Sequence, residues 1–177
     1  MKKVEQGSQN TEGVMDNLTI RQIRTSELFF LEEMLFEAIF IAKGEQELPR
    51  AIIQQPELNK YINDFGKPTD FCLVAELNNN LVGAIWTRLF DWENKGYGFV
   101  DEHTPELSIA ISRQFRNQGI GSKLMDELFF SLQKLNFKQV SLSVDIRNPA
   151  FRQYLRYNFK ELNRDGFTAT MVKILTN

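Results

Sequence analysis

The chain has 177 residues, 42% of them hydrophobic and 25% charged, ordinary proportions for a globular protein with enough apolar material for one core. Lys and Arg number 21 against 23 Asp and Glu, a net charge of −2, which argues against holding nucleic acid by bulk electrostatics. One cysteine, Cys72, and one histidine, His103, exclude an intrachain disulfide, a four-cysteine zinc site and a Cys-Cys-His cluster, so no metal is expected.

Residues 1–17 are polar and aperiodic and read as a mobile tail. No apolar segment of secretory type follows the two N-terminal lysines, and no apolar run reaches the roughly 18 residues that cross a membrane. The expectation is a cytoplasmic protein with no membrane or nucleic-acid partner, residues 18–177 forming one domain.

Leu18-Thr-Ile-Arg-Gln-Ile largely alternates apolar and polar residues and predicts a strand. Ser26 is a candidate N-cap with Glu27 in the first turn of a helix. Leu28, Leu31, Leu35, Ala38 and Ile39 carry that helix to about Ala42, before Gly44. A shorter helix is expected over residues 57–64, ended by Gly66-Lys-Pro. Phe71-Cys-Leu-Val-Ala and residues 81–90 form a hairpin around Asn78-Asn-Asn, because Asn tolerates positive φ. Residues 91–104 are a long loop. Leu107, Ile109 and Ile111 mark the next strand. Residues 118–135 form the strongest amphipathic helix, with Ile120, Leu124, Leu128, Leu132 and Leu135 on one stripe. A strand over residues 140–144, a short helix over 149–157, and a last hairpin turning at Arg164-Asp-Gly complete the chain. The order β α α β β β α β α β β implies an α/β (α+β) fold, a mixed sheet with helices on both faces.

Chemistry concentrates in Ile109-Ala-Ile-Ser-Arg-Gln-Phe-Arg-Asn-Gln-Gly-Ile-Gly-Ser-Lys-Leu-Met. A strand runs into a glycine-containing loop that opens the strongest helix. Such a helix start presents unpaired N–H groups and the positive dipole end, a place that binds phosphate. Gly119 and Gly121 permit close approach, Arg116 adds charge, and the Ser122 hydroxyl can donate. The alternative is that the glycines serve only the turn and packing. The ATP-binding G-x-x-x-x-G-K-[ST] pattern is absent, and Leu124 stands where a dinucleotide fingerprint needs its third glycine.

Arg116-Asn-Gln-Gly-Ile-Gly resembles the R/Q-x-x-G-x-G/A signature of the GNAT family of N-acetyltransferases. Downstream, Asn148-Pro-Ala-Phe-Arg-Gln-Tyr-Leu-Arg-Tyr-Asn-Phe resembles that family's N-P-A-x-x-L-Y-x-x-x-G-F. The family often has Gly at the positions of Asn117 and Asn158, and Asn is the residue that best replaces Gly in left-handed backbone. Gln153 replaces a usual apolar residue, at the expense of some helix packing.

The resemblance implies a mostly antiparallel central sheet splayed between two parallel strands, with acetyl-CoA (coenzyme A) in the splay. Arg116, Asn117, Gln118, Gly119, Ile120, Gly121 and Ser122 would hold the pyrophosphate. Ile109, Ala110 and Ile111 would pair with the pantetheine arm, and Asn148 and Ala150 would also touch the cofactor. Tyr154 matches the tyrosine that protonates the departing thiolate, with Tyr157 as fallback. An amine must lose a proton to attack. Glu106, at the start of the central strand, is the candidate base, and His103 or water are alternatives. Trp86, Arg88, Trp92, Tyr97 and His103 are candidate acceptor contacts. Asp91, Glu93, Asp101 and Glu102 in the same region would favour a cationic amine. Cys72, in an apolar strand, reads as an inert buried thiol.

The expected activity is transfer of an acetyl group from acetyl-CoA to a primary amine of a small molecule, by direct attack in a ternary complex. The rivals are a non-catalytic acyl-CoA-binding protein and a protein or peptide N-acetyltransferase; a phosphate-loop nucleotide enzyme lacks its lysine. By analogy of fold, the last hairpin could pair two copies as a homodimer.

Overall fold

The computed structural model describes residues 17–175; of the expected tail, only Asn17 falls within them. The elements are β1 (Leu18–Gln22), α1 (Phe30–Ala38), α2 (Pro56–Asn59), β2 (Phe71–Leu77), β3 (Asn80–Arg88), β4 (Glu106–Ile111), α3 (Ile120–Lys134), β5 (Gln139–Asp145), α4 (Ala150–Arg156), β6 (Lys160–Asp165) and β7 (Thr168–Ile174). They follow the order expected from the sequence. The strands form one sheet in the order β1-β2-β3-β4-β5-β7-β6. Every neighbouring pair is antiparallel except β4 with β5.

That parallel pair organises the rest of the molecule. β3 and β4 are in register from Gly83↔Ile111 to Arg88↔Glu106, and β5 pairs with β7 from Gln139↔Ile174 to Asp145↔Thr168. Between β4 and β5 only Glu106↔Ser141 is paired, where Ser141 N–H donates to the Pro105 carbonyl at 3.0 Å. Both strands are held along their outer edges and part from each other beyond this bridge. The mixed, mostly antiparallel sheet is therefore splayed, as expected.

Two clusters of buried side chains lie on the two faces. Ile120, Leu124, Leu128 and Leu132 of α3 pack with Tyr154 of α4 over Leu73, Ile85, Leu107, Leu142 and Met171. Leu31, Met34 and Leu35 of α1 pack with Ile53, Tyr61, Val74, Ala84 and Trp86 on the other face. Each fully buried leucine or isoleucine contributes on the order of 2 kcal/mol of transfer free energy. Cys72 is buried among these residues, and burial pushes its thiol up, as befits an inert side chain.

The departures from expectation are local. The first helix ends at Ala38 rather than Ala42, because Ile39 turns to extended backbone (φ −70, ψ 118). Past that turn Ile39, Phe40 and Ile41 are all partly buried. Its start is a 3-10 turn over Thr25–Glu27. The second helix is only α2, preceded by a 3-10 turn over Arg50–Gln54, and residues 60–64 continue as hydrogen-bonded turns. Leu135 leaves the expected stripe: it follows the end of α3 and is exposed. The last hairpin turns at Gly166 and Phe167 rather than Arg164-Asp-Gly, since Asp165 pairs with Thr168 and Gly166 takes the left-handed φ of 55. The Asn residues behave as anticipated: Asn78 and Asn79 close the β2–β3 turn at φ 51 and 64, while Asn117 and Asn158 sit at 61 and 63.

Candidate active site

The segment between β4 and α3 is built so that its amides are unspent. Arg116 is extended, Asn117 is left-handed, and Gly119 caps α3 at φ 81. Among the described residues, the backbone N–H groups of 117–122 donate to no carbonyl or side chain; the first donor of α3 is Lys123, to Gly119. The helix dipole adds a positive potential at the same place. Gly119 has a conformational reason to be glycine. Gly121 has none inside the protein: a Cβ there would meet only Ile109 and Ile111 side chains, at 3.9 and 4.0 Å. Bare backbone on that face suits close approach by an anion.

The Arg116 side chain turns back onto the protein. Its Nε donates to the Ile111 carbonyl (2.9 Å), and Nη2 pairs with Glu37 of α1 (2.6 Å). It thus clamps the exit of β4 to α1, and Arg113 also faces Glu37. Ser122 is tied to α4: its Oγ accepts from Gln153 (3.2 Å), and its carbonyl accepts from Tyr157 (3.3 Å). Gln153, expected only to weaken packing, is a strut between the two helices.

The unpaired edge of β4 faces the splay. The Pro105 carbonyl points toward β5, and backbone groups alternate sides along a strand. The N–H and C=O of Ile109 therefore lie on the open edge, while Ala110 turns toward β3. At the far side of the opening, the Asn148 carboxamide accepts from Ala150 N–H at 2.9 Å and caps α4. Tyr154 is buried in the first cluster, edge-on to Phe159 at 5.6 Å. Among the described residues its hydroxyl makes no hydrogen bond, whereas that of Tyr157 is committed to Ser122. Burial pushes Tyr154 up to about 12, so it is protonated at neutral pH.

Glu106 stands at the apex of the splay, 3% exposed. Its Oε1 accepts from Tyr61 Oη (2.7 Å) and from Gly98 N–H (2.8 Å), while Oε2 is buried with no partner. Burial drives the carboxyl up to about 7 against those two hydrogen bonds and the charge of Lys60. The loop over residues 91–104 crosses directly above. A Cβ on Gly96 would collide with Glu106 Oε2, and one on Gly98 would lie 2.5 Å from the Leu142 carbonyl carbon. Only glycines let this loop close over the carboxylate. Tyr61 and Gly98 were not singled out by the sequence; the spacing of Gly96 and Gly98 in an aromatic loop was the available signal.

The other expected acceptor contacts divide. Tyr97 is exposed, and its N–H donates to Tyr61 Oη at 2.6 Å, one residue from the carboxylate. Trp92 is also exposed, edge-on to Phe99 at 5.0 Å, with Lys95 Nζ 4.6 Å from its ring. Trp86, however, is 1% exposed, its Nε1 bonded to the Tyr61 carbonyl; it is core. Arg88 is likewise buried. Its five N–H groups are spent on Asp70 and on the carbonyls of Lys60, Asn63 and Asp64, so it fastens the segment after α2 to β3 and has no donor left for a ligand. His103 faces a separate cleft of about 330 Å³ with Leu89, Asp101 and Leu135 to Gln139, near the N-terminal ends of β4 and β5 rather than in the splay. Asp101 is occupied by Thr104 Oγ1 and His103 N–H. Among the described residues no group of His, Cys, Asp or Glu could hold a metal ion, and no helix is long and apolar enough to cross a membrane.

The sheet is splayed between parallel strands, with unspent amides at its mouth and a buried carboxylate at its apex, and its fold is that of solved N-acetyltransferases. The chain belongs to the acetyltransferase (GNAT) family, whose sequence model matches residues 32–159. No curated protein matches it in sequence. Solved structures share its fold. A GNAT-family acetyltransferase from Streptococcus pneumoniae is 20% identical with a TM-score of 0.61, covering 90% of this chain and 99% of that one. PaiA N-acetyltransferase from Thermoplasma acidophilum, in complex with coenzyme A, is 19% identical with a TM-score of 0.63, covering 89% and 98%. The spermidine/spermine N-acetyltransferase SpeG from Vibrio cholerae is 20% identical with a TM-score of 0.56, covering 89% and 95%.

Proposed function

We propose that the protein transfers an acetyl group from acetyl-CoA to a primary amine of a small molecule, by direct attack within a ternary complex. The observation that carries this reading is the single Glu106↔Ser141 bridge: beyond it, the open edge of β4 meets the unspent amides of 117–122. The residues suit the cofactor. Amides 117–122 would hold the pyrophosphate, the Ile109 edge would pair with the pantetheine arm, and Asn148 and Ala150 would flank it. Bound there, acetyl-CoA supplies the thioester whose acyl group moves and whose thiol leaves.

The remaining roles belong to the chain. Amides on the splayed edge of β4 polarise the acyl carbonyl. Glu106, whose value near 7 lets it exchange a proton at neutral pH, takes one proton of the ammonium so that the neutral amine attacks the thioester carbon. As the C–S bond breaks, Tyr154, which keeps its proton at neutral pH, delivers it to the departing sulfur, and the second proton, shed by the new amide nitrogen, restores the tyrosine. Trp92 and Tyr97 wall the acceptor side, with Asp91, Glu93 and Glu102 favouring a cationic amine. SpeG, named for spermidine and spermine, makes polyamines the first acceptors to try.

The test is thiol release from acetyl-CoA against polyamines, amino acids, aminoglycosides and short peptides, run beside Tyr154→Phe. Turnover on a small amine, slowed on the order of a hundredfold by the substitution, is the expected result. Turnover on peptides alone would replace the acceptor class. Failure of any CoA ester to protect the protein against heat would remove the cofactor assignment.

A further inference from the structure

Glu106 has two chemically different oxygens. Oε1 receives two hydrogen bonds, from Tyr61 Oη at 2.7 Å and from Gly98 N–H at 2.8 Å. Oε2 receives none and is buried. Tyr61 lies just beyond α2 and is itself buried, its ring edge-on to Phe90 at 5.0 Å and stacked with Tyr97 at 6.4 Å. Its hydroxyl both donates to the carboxylate and accepts the Tyr97 N–H at 2.6 Å. A phenol that accepts from an amide has its own proton directed onward, so the chain Tyr97 N–H, Tyr61 O–H, Glu106 Oε1 is oriented in one sense.

We propose that Tyr61 is the positioning residue of Glu106: with Gly98 it holds Oε1, fixes the orientation of the carboxyl, and ties this arrangement to the seating of loop 91–104 through Tyr97. The inference rests on Glu106 being the base of the proposed reaction. The neighbours of the carboxylate leave Tyr61 as its side-chain donor. Arg88, in register on β3, is consumed by Asp70 and three carbonyls. Ser141, in register on β5, has an unpartnered hydroxyl. Lys60 acts on Glu106 only through its charge, its Nζ held by Glu57 and the Lys95 carbonyl. A hydrogen bond to an ionised carboxylate favours the ionised form, so removing the Tyr61 hydroxyl moves the carboxyl further up.

The experiment is a ¹³C NMR titration of glutamate-labelled protein without ligand, the Glu106 resonance assigned by its loss in Glu106→Gln, paired with the pH profile of kcat/KM. Tyr61→Phe keeps the ring contacts and the Tyr61 carbonyl that accepts from Trp86. It should raise the Glu106 midpoint by roughly one pH unit and move the acidic limb of kcat/KM by the same amount, with KM for acetyl-CoA unchanged. In a Glu106→Gln background the same substitution should change kcat/KM less than twofold. Biosynthetic replacement of the four tyrosines by 3,5-difluorotyrosine strengthens the donor without altering the sequence and should lower the midpoint. An unmoved midpoint in both preparations overturns the proposal. A midpoint that moves while the rate limb stays overturns Glu106 as base, and the role of Tyr61 in the reaction with it. That outcome leaves the acetyl-CoA assignment to the heat-protection test.

Discussion

Glu106 links proton chemistry to stability through one sign. Its folded value, about 7, lies above its ordinary 4.5, because burial outweighs the Tyr61 and Gly98 hydrogen bonds. Between those values the folded chain binds more protons than the unfolded chain, so this residue costs stability as pH rises from about 4.5 to about 7, up to about 3 kcal/mol. Glu106→Gln should flatten the fall in Tm over that window; burying an amide donor shifts its whole curve but not the slope. Thermal melts of both proteins from pH 4.5 to 8 check this, and parallel curves would contradict it. Arg88 is the opposite case. It and Asp70 are both buried as an ion pair at 2.7 Å. Burial alone would push Asp70 up, yet Arg88 and the Gly66 and Lys67 amides hold it below the usual carboxylate range. Arg88→Ala strands that charge and should cost roughly 3–5 kcal/mol by chemical denaturation. A loss of acceptor affinity with stability intact would instead restore Arg88 to the site.

At the scale of the element, the start of α3 separates two glycines that look alike in sequence. Gly119 sits at φ 81 with nothing near its Cβ position, so Gly119→Ala is strained by about 1–2 kcal/mol through the backbone alone. Gly121 has no positive φ and only ordinary contacts for a Cβ. The signature admits Ala at this position, so the test is Gly121→Glu: it should leave Tm nearly level, since the Cβ has room and an acidic residue suits a helix start, while KM for acetyl-CoA rises about tenfold or more, a loss of about 1.4 kcal/mol or more of binding. Melting curves with KM measurements distinguish the two positions; equal effects of both substitutions on KM and Tm would count against the anion-binding face. The motif was legible because a tight helix start needs glycine and asparagine in fixed places. The anchoring of Arg116 to Glu37 was not, since Glu37 lies on α1, 79 residues away. Separation in sequence likewise hid Tyr61, which is 45 residues from Glu106.

For the whole molecule, the proposed function makes the splay the feature on which ligand binding should act. Coenzyme A should slow amide hydrogen exchange at Ile109 and over residues 117–122, where the N–H groups lack protein partners, and leave β2 and β7 unchanged. Saturation at about a hundred times Kd should add about 2.7 kcal/mol to stability. Mass-resolved exchange with and without coenzyme A measures the first, and uniform protection would argue for general stiffening instead. The order of strands and helices, the Asn turns and the α3 stripe were read from local periodicity and turn chemistry, because those act over a few residues and owe little to the rest of the chain. Which side chains end up buried and already partnered was decided by tertiary contacts. Trp86 and Arg88 alternate on a strand as site residues would, yet both end up inside, because the segment after α2 folds over them. His103 neighbours Glu106 in sequence but turns to another cleft. Glu106 itself became unusual only when Gly96 and Gly98 let the preceding loop close over it and Tyr61, 45 residues away, packed against it, and desolvation assembled across the fold is a property that no local pattern encodes.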